Sequence, residues 1–143
     1  MAQWIQEEVG GDLFLIQTKE PYSANYDETV KRGEDENRRN IRPALSSHVE
    51  NMQGYNVIFL GYPVWAYDIP MALYTFLEEY DLSGKTIIPF CTSGATSISR
   101  TIETIKRLEP KAKIMEGITV NHNKALGSKN AVIAWLKRIG IVK

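Results

Sequence analysis

Apolar positions along the chain fall alternately into short runs and helical stripes. Asn56 to Gly61 (NVIFLG) is almost wholly apolar and ends in glycine, the pattern of a strand buried on both faces. The next apolar positions, Leu73, Phe76, Leu77 and Tyr80, share one helical face. They predict a helix over Ile69 to Tyr80, with Asp68 as its cap and Pro70 in its first turn. Lys85 to Cys91 (KTIIPFC) predicts a second strand. Pro89 interrupts it and should mark an irregularity, because proline removes a ladder donor. Ile98, Ile102, Ile105 and Leu108 form the stripe of a helix over Ile98 to Leu108 that stops before Pro110. Lys113 to Val120 is a weaker strand broken by Gly117. Val132, Trp135, Leu136 and Ile139 face one way on a last helix, Ser128 to Ile139, closed by Gly140.

The amino-terminal third is read more from charge and turn residues. Asp12 to Gln17 (DLFLIQ), behind Gly10-Gly11, predicts a strand. Tyr26 to Asn40 predicts a helix in which Asp27/Lys31, Glu28/Arg32, Glu34/Arg38 and Asp35/Arg39 are i,i+4 pairs with the acid leading. Because both signs interleave, that run is a solvated helix face and not a charged docking patch. Strands alternating with helices imply an α/β fold with parallel strands and helices on both faces. In such sheets ligands bind beyond the carboxyl ends of the strands, so Tyr62 to Asp68 and Thr92 to Ser97 are the loops to inspect.

The chain has 143 residues, which suits a single domain, 1–143. Seventeen basic and seventeen acidic residues cancel, so no global field points to nucleic acid or an anionic membrane. No apolar run is long enough to span a bilayer, and Met1 to Gly10 lacks the pattern of a signal peptide. The single cysteine, Cys91, allows no internal disulfide and agrees with a cytoplasmic setting. It reads as a buried structural thiol. His48 and His122 have no clustered acids or second histidine, which argues against a metal site or a catalytic dyad. Trp4 and Trp135 sit on helix faces as core or interface residues.

The first loop carries Tyr62, Trp65 and Tyr67 with Pro63 and Pro70. Aromatics held by prolines can wall a planar ligand, or can simply cover the end of the sheet. The second loop, Cys91-Thr92-Ser93-Gly94-Ala95-Thr96-Ser97, is small and hydroxyl-rich and opens a helix. It can bind carbonyls, ring nitrogens or an anion, or serve only as a capped turn.

Together, the Tyr-Pro-x-Trp loop and the Pro-Phe-Cys-Thr-Ser-Gly strand end resemble the flavodoxin family, in its branch of short single-domain flavodoxin-like proteins. The resemblance runs from the amino terminus to about Gly117. It implies a three-layer α/β/α sandwich on a parallel sheet, one non-covalent FMN, and redox partner proteins. By that resemblance Pro63, Val64 and Trp65 contact the isoalloxazine, with Ala66 and Tyr67 completing the loop. Thr92, Ser93 and Gly94 meet the opposite edge and the ribityl chain, and Ala95, Thr96 and Ser97 continue the second loop. Electron transfer, or an FMN-dependent oxidoreductase activity, would follow. The other reading is a flavodoxin-like module that has lost FMN and acts through protein contacts.

The chain departs from the family pattern in its two loops and at its start. Trp65-Ala66-Tyr67 stands where Trp-Trp-Gly is frequent, and Gly94-Ala95 where Gly-Gly is common. The family also opens with a strand and a hydroxyl- and glycine-rich phosphate loop, whereas Met1 to Val9 matches only the later part of the first helix. Roughly 20 residues are without a counterpart, about one strand, one loop and one helical turn. Either Asp12 to Gln17 pairs directly with Asn56 to Gly61, or a gap exposes unpaired backbone. A longer native protein, a short variant that re-pairs its sheet, and an exchanged homodimer covering the edge are the three explanations. The reading favoured here is a short variant that associates.

Overall fold

The computed structural model describes residues 1–94 and 96–143. Among these residues five α-helices and four strands occur in the order α1 (Ala2–Val9), α2 (Tyr26–Arg38), β1 (Val57–Pro63), α3 (Met71–Glu79), β2 (Thr86–Ser93), α4 (Ser99–Leu108), β3 (Lys113–Ile114), β4 (Ile118–Asn121) and α5 (Lys129–Arg138). All strand pairs are parallel. β2 is central, with β1 on one side and β3 and β4 in succession on the other.

Side-chain alternation splits the core in two. Ile58, Leu60 and Tyr62 of β1, with Ile87 and Cys91 of β2, pack under α3 and α4. Phe59, Ile88 and Phe90 point the other way, against Ile5 of α1 and the fully buried Trp135 of α5. Trp4 packs at the margin of this second cluster. Helices therefore cover both faces of the sheet, as the alternating pattern predicted.

Pro89 produces the expected irregularity, and it falls on the neighbouring strand. The backbone N–H of Met115 donates to the Ile87 carbonyl at 3.0 Å, so the missing donor of Pro89 lies on the same side two residues on. The partner strand breaks there, and its register slips by one residue between Ile87↔Ile114 and Phe90↔Ile118. Gly117 fills the break. A methyl group on it would lie 2.6 Å from the Pro89 carbonyl oxygen.

Three sequence expectations fail. Asp12 to Gln17 forms no strand; it is held by the Tyr55 hydroxyl bond to Asp12, the contact of the Phe14 and Phe76 rings and the Ser46 N–H bond to the Gln17 carbonyl at 2.8 Å, and an isolated antiparallel bridge from Thr18 to Leu45 follows it. It does not pair with β1, because no neighbouring strand lies within hydrogen-bonding reach of it, and Leu13 and Leu15 remain 51% and 71% exposed. Of the four predicted ion pairs on α2, only Asp35–Arg39 is among those formed. Arg38 turns to Asp35, and Arg32 reaches forward to the buried Glu36. The helix also ends at Arg38, before Asn40, which takes a left-handed conformation (φ 54°) while the Ile41 N–H bonds back to the Glu36 carbonyl. Finally, Asp68 does not cap α3, whose first residue follows Pro70. Other boundaries move by one or two residues, as helix and strand ends do.

Candidate functional site

The two loops singled out in the sequence follow adjacent strands and are brought together. Pro63 of β1 is in register with Thr92 of β2, and the Val64 N–H donates to the Thr92 carbonyl at 2.9 Å. Pro63, Val64, Trp65, Ala66 and Tyr67 thus form one wall at the carboxyl end of the sheet. Thr92, Ser93 and Gly94 form the other, with Thr96 and Ser97 running on toward α4. Ala95 lies outside the described residues.

The first wall is a tight turn. Trp65 and Asp68 exchange both backbone hydrogen bonds at 2.9 Å, and Ala66 (φ 50°) and Tyr67 (φ 63°) are both left-handed. Positive φ at both central positions defines a type I′ turn, which normally takes glycine or asparagine. Here two ordinary L-residues carry the strain at the tip. Asp68 anchors the turn from below. Its buried carboxylate accepts from the Ile69 N–H (2.8 Å) and from the Tyr74 hydroxyl (2.6 Å), and Arg107 donates to that hydroxyl at 3.2 Å. Burial, then the bond to Asp68, pushes the Tyr74 hydroxyl above its ordinary pKa.

The aromatics divide their roles. Trp65 is half-buried and braced from behind. Its ring meets Tyr22 edge-on at 5.0 Å, and a methyl group on Gly33 of α2 would lie 3.3 Å from Trp65 Cε3. Tyr22 is held in turn by a 2.6 Å bond to Glu36 and by Arg32, whose guanidinium carbon sits 3.9 Å from the ring centroid. Tyr62 turns inward to a 2.8 Å hydrogen bond with Thr101. Tyr67 is 67% exposed and is the loop aromatic with its ring open to solvent.

The second wall is held by its own hydroxyls. The buried Ser93 accepts the Thr96 N–H at 2.9 Å, and Ser97 accepts the Ser99 N–H at 3.2 Å as α4 begins. Two residues that sequence reasoning did not place here complete it. Asn121, at the end of β4, donates to the Gly94 carbonyl at 3.1 Å. His122 stands beside Gly94, 3.3 Å from where a methyl group would be. Their signal was positional, since Asn121 ends and His122 follows the strand that neighbours β2, but that neighbour relation is a tertiary fact. Cys91 is fully buried, touches Thr119, and has its thiol pKa raised by burial, all consistent with a structural role. His48 does have an acidic partner, Glu79. Among the described residues no group of histidine, cysteine and carboxylate side chains could hold a metal ion, and no helix is long and apolar enough to cross a membrane.

The flavodoxin family model matches residues 1–139. No curated protein matches the chain. Among solved structures, a protein from Bacteroides eggerthii DSM 20697, provisionally named a flavoprotein, is 35% identical with a TM-score of 0.82, covering 99% of this chain and 89% of its own. A similarly named protein from Bacteroides uniformis ATCC 8492 is 31% identical with a TM-score of 0.82, over 95% and 87%. A flavoprotein from Lactobacillus acidophilus NCFM, solved with FMN, shares the fold at 16% identity and a TM-score of 0.67, over 88% and 85%. With the parallel sheet, the helices on both faces and the paired loops at its carboxyl end, these matches place the chain in the flavodoxin family.

Proposed function

We propose that the chain is an FMN-binding electron-transfer protein that holds the flavin by its ring. The observation that carries this is the joining of the two loops through Val64 and Thr92 at the carboxyl ends of adjacent parallel strands, where such sheets take ligands. The residues present suit the ring. Pro63 and Tyr67 offer exposed apolar and aromatic surface, and Trp65 is braced at the same end. Gly94, lacking a side chain, lets His122 pack close against its loop. They do not suit the phosphate. Among the described residues no glycine-rich turn opens a helix, and α2, the helix nearest Trp65, has its Glu28 N–H already taken by Asn25.

When bound, FMN supplies the one- and two-electron chemistry. The chain's own part is to orient the ring, stack on one face of it and exclude water from its inner edge. Exposure of Pro63 and Tyr67 keeps the outer edge at the surface, which suits exchange with redox partner proteins. A cytoplasmic setting agrees with one buried, reduced thiol. The second reading, a module without flavin that works through protein contacts, is favoured by the missing phosphate cradle among the described residues.

Titration against riboflavin and FMN tests the proposal. A ring site without a phosphate clamp should quench both fluorophores with affinities within about three-fold of each other, since the phosphate adds little where no donors meet it. Trp65→Ala should weaken both. A protein that quenches neither refutes flavin binding, and strong preference for FMN refutes the ring-only mode.

A further inference from the structure

α2 breaks two local rules on one face. Its buried residues are Gly33 and Glu36, while its apolar side chains, Tyr26 and Val30, stay exposed. A glycine inside a helix costs conformational entropy, and a buried carboxylate costs solvation. Alanine and leucine would serve a helix that needed only to pack. Such departures gather where a site requires them, and both of these converge on Trp65. Gly33 packs against the indole, where a methyl group would sit 3.3 Å from Trp65 Cε3. Glu36, three residues on and on the same face, reaches Trp65 through Tyr22. Its Oε1 accepts the Tyr22 hydroxyl at 2.6 Å, and its Oε2 accepts the Arg32 Nε–H at 3.2 Å. Arg32 also donates to the Glu20 and Pro21 carbonyls at 2.9 and 3.0 Å, and its guanidinium carbon lies 3.9 Å from the centre of the Tyr22 ring. Tyr22 is therefore held at its hydroxyl, on its ring and through the backbone before it. That ring meets Trp65 edge-on at 5.0 Å. Burial, then the bond to Glu36, raises the Tyr22 hydroxyl pKa, so the hydroxyl stays a donor at neutral pH.

We infer that Glu36 is a positioning residue: acting through Tyr22, it fixes the Trp65 indole against α2 before any ligand arrives. The inference rests on the flavin reading for its ligand, a planar isoalloxazine, and adds what makes the first wall stiff. The turn of the loop holds the backbone of Trp65 through Asp68, but leaves its side chain to its neighbours. Those neighbours are Tyr22 and α2. Burying a carboxylate here serves orientation more than stability. Replacing a buried ion pair by a hydrophobe of similar size is often neutral or stabilising, whereas stranding one charge is not. Neither partner of Glu36 would be stranded. Arg32 keeps its two carbonyls and is partly exposed, and Tyr22 is only half-buried. Stability and ring binding should then separate at residue 36. An indole ordered before binding spares the ligand that ordering, about three- to ten-fold in affinity.

The test reads the indole without flavin and the ring site with riboflavin. In protein labelled with 5-fluorotryptophan, the Trp65 fluorine resonance is assigned by its loss in Trp65→Phe. It should be a single narrow line in wild type and in Glu36→Gln, whose amide oxygen still accepts the Tyr22 hydroxyl. It should broaden, or move toward its position in urea, in Glu36→Leu and in Tyr22→Phe. Riboflavin binding should weaken about three- to ten-fold in Glu36→Leu, and no further when Tyr22→Phe is added, since the two residues form one link. Glu36→Gln should stay within about two-fold of wild type. The urea midpoint of Glu36→Leu should equal or exceed that of wild type. If that variant does not fold, Tyr22→Phe alone carries the same expectations for the line and for riboflavin. A narrow, unmoved Trp65 line in the variants overturns the inference. So does unchanged riboflavin affinity beside a disturbed line, or a loss of affinity that merely follows the urea midpoint. A wild type that binds no riboflavin refutes the flavin reading, and the Trp65 line, read without ligand, then decides whether Glu36 positions the indole.

Discussion

Replacing Tyr67 by glycine should stabilise the protein, although it removes an aromatic from the proposed binding loop. Tyr67 has φ 63° at the second central position of the type I′ turn. Left-handed backbone costs an L-residue roughly 1–2 kcal/mol, which glycine does not bear. Against this, glycine has a more disordered unfolded state, worth about 0.4–1 kcal/mol. The side chain is 67% exposed, so little burial is lost. The net is a gain of about 1 kcal/mol, or about 2–4 °C in Tm for a chain of this size. Tyr67→Ala separates the two contributions, because it deletes the ring but keeps the strained backbone. Urea unfolding of the three proteins reads the outcome. The order should be Tyr67→Gly above wild type, with Tyr67→Ala at or below wild type. If glycine and alanine variants unfold at the same midpoint, the turn is not strained at this position and the reasoning is wrong. Flavin titration then adds a second axis, since both variants lose the exposed ring and should bind more weakly alike.

Two further outcomes follow from packing and burial. Glu109 is buried at the end of α4, and its carboxyl is raised to about 7 from 4.5, first by burial and then by the nearby Asp81. The folded state thus holds a proton that the unfolded state has lost, so this contribution is full below pH 4.5 and is lost as pH rises to about 7. Glu109→Gln should abolish a fall in stability of roughly 2–3 kcal/mol across that window, measured by urea midpoints against pH; an unchanged slope would assign the dependence to other groups. Gly117→Ala should cost about 1–3 kcal/mol, because its methyl group would press on the Pro89 carbonyl, which cannot swing away, as well as on the Pro89 ring and the end of Ile98. A neutral Gly117→Ala would show that the break between β3 and β4 is soft.

Much of this fold was readable from local pattern. Continuous apolar runs at β1 and β2, and the stripes of α3, α4 and α5, are set by burial on two faces or one, and that demand is written into successive residues. The two loops were also marked by the buried strands they follow, whereas the pairing of β1 with β2 that brings them together is a tertiary fact. Other features required the packed chain. Leu13, Phe14 and Leu15 have the composition of a strand, yet a strand exists only where a neighbour accepts its hydrogen bonds, and none reaches them. Ala66 and Tyr67 gave no hint of a type I′ turn, because neither residue prefers it; the bonds between Trp65 and Asp68 impose it. The bracing of Trp65 by Tyr22 and Gly33, and the arrival of Asn121 and His122 at Gly94, join residues far apart in sequence. Periodicity records which face of an element is buried, but not which other element buries it, so the link from Glu36 through Tyr22 to Trp65 was visible only in three dimensions.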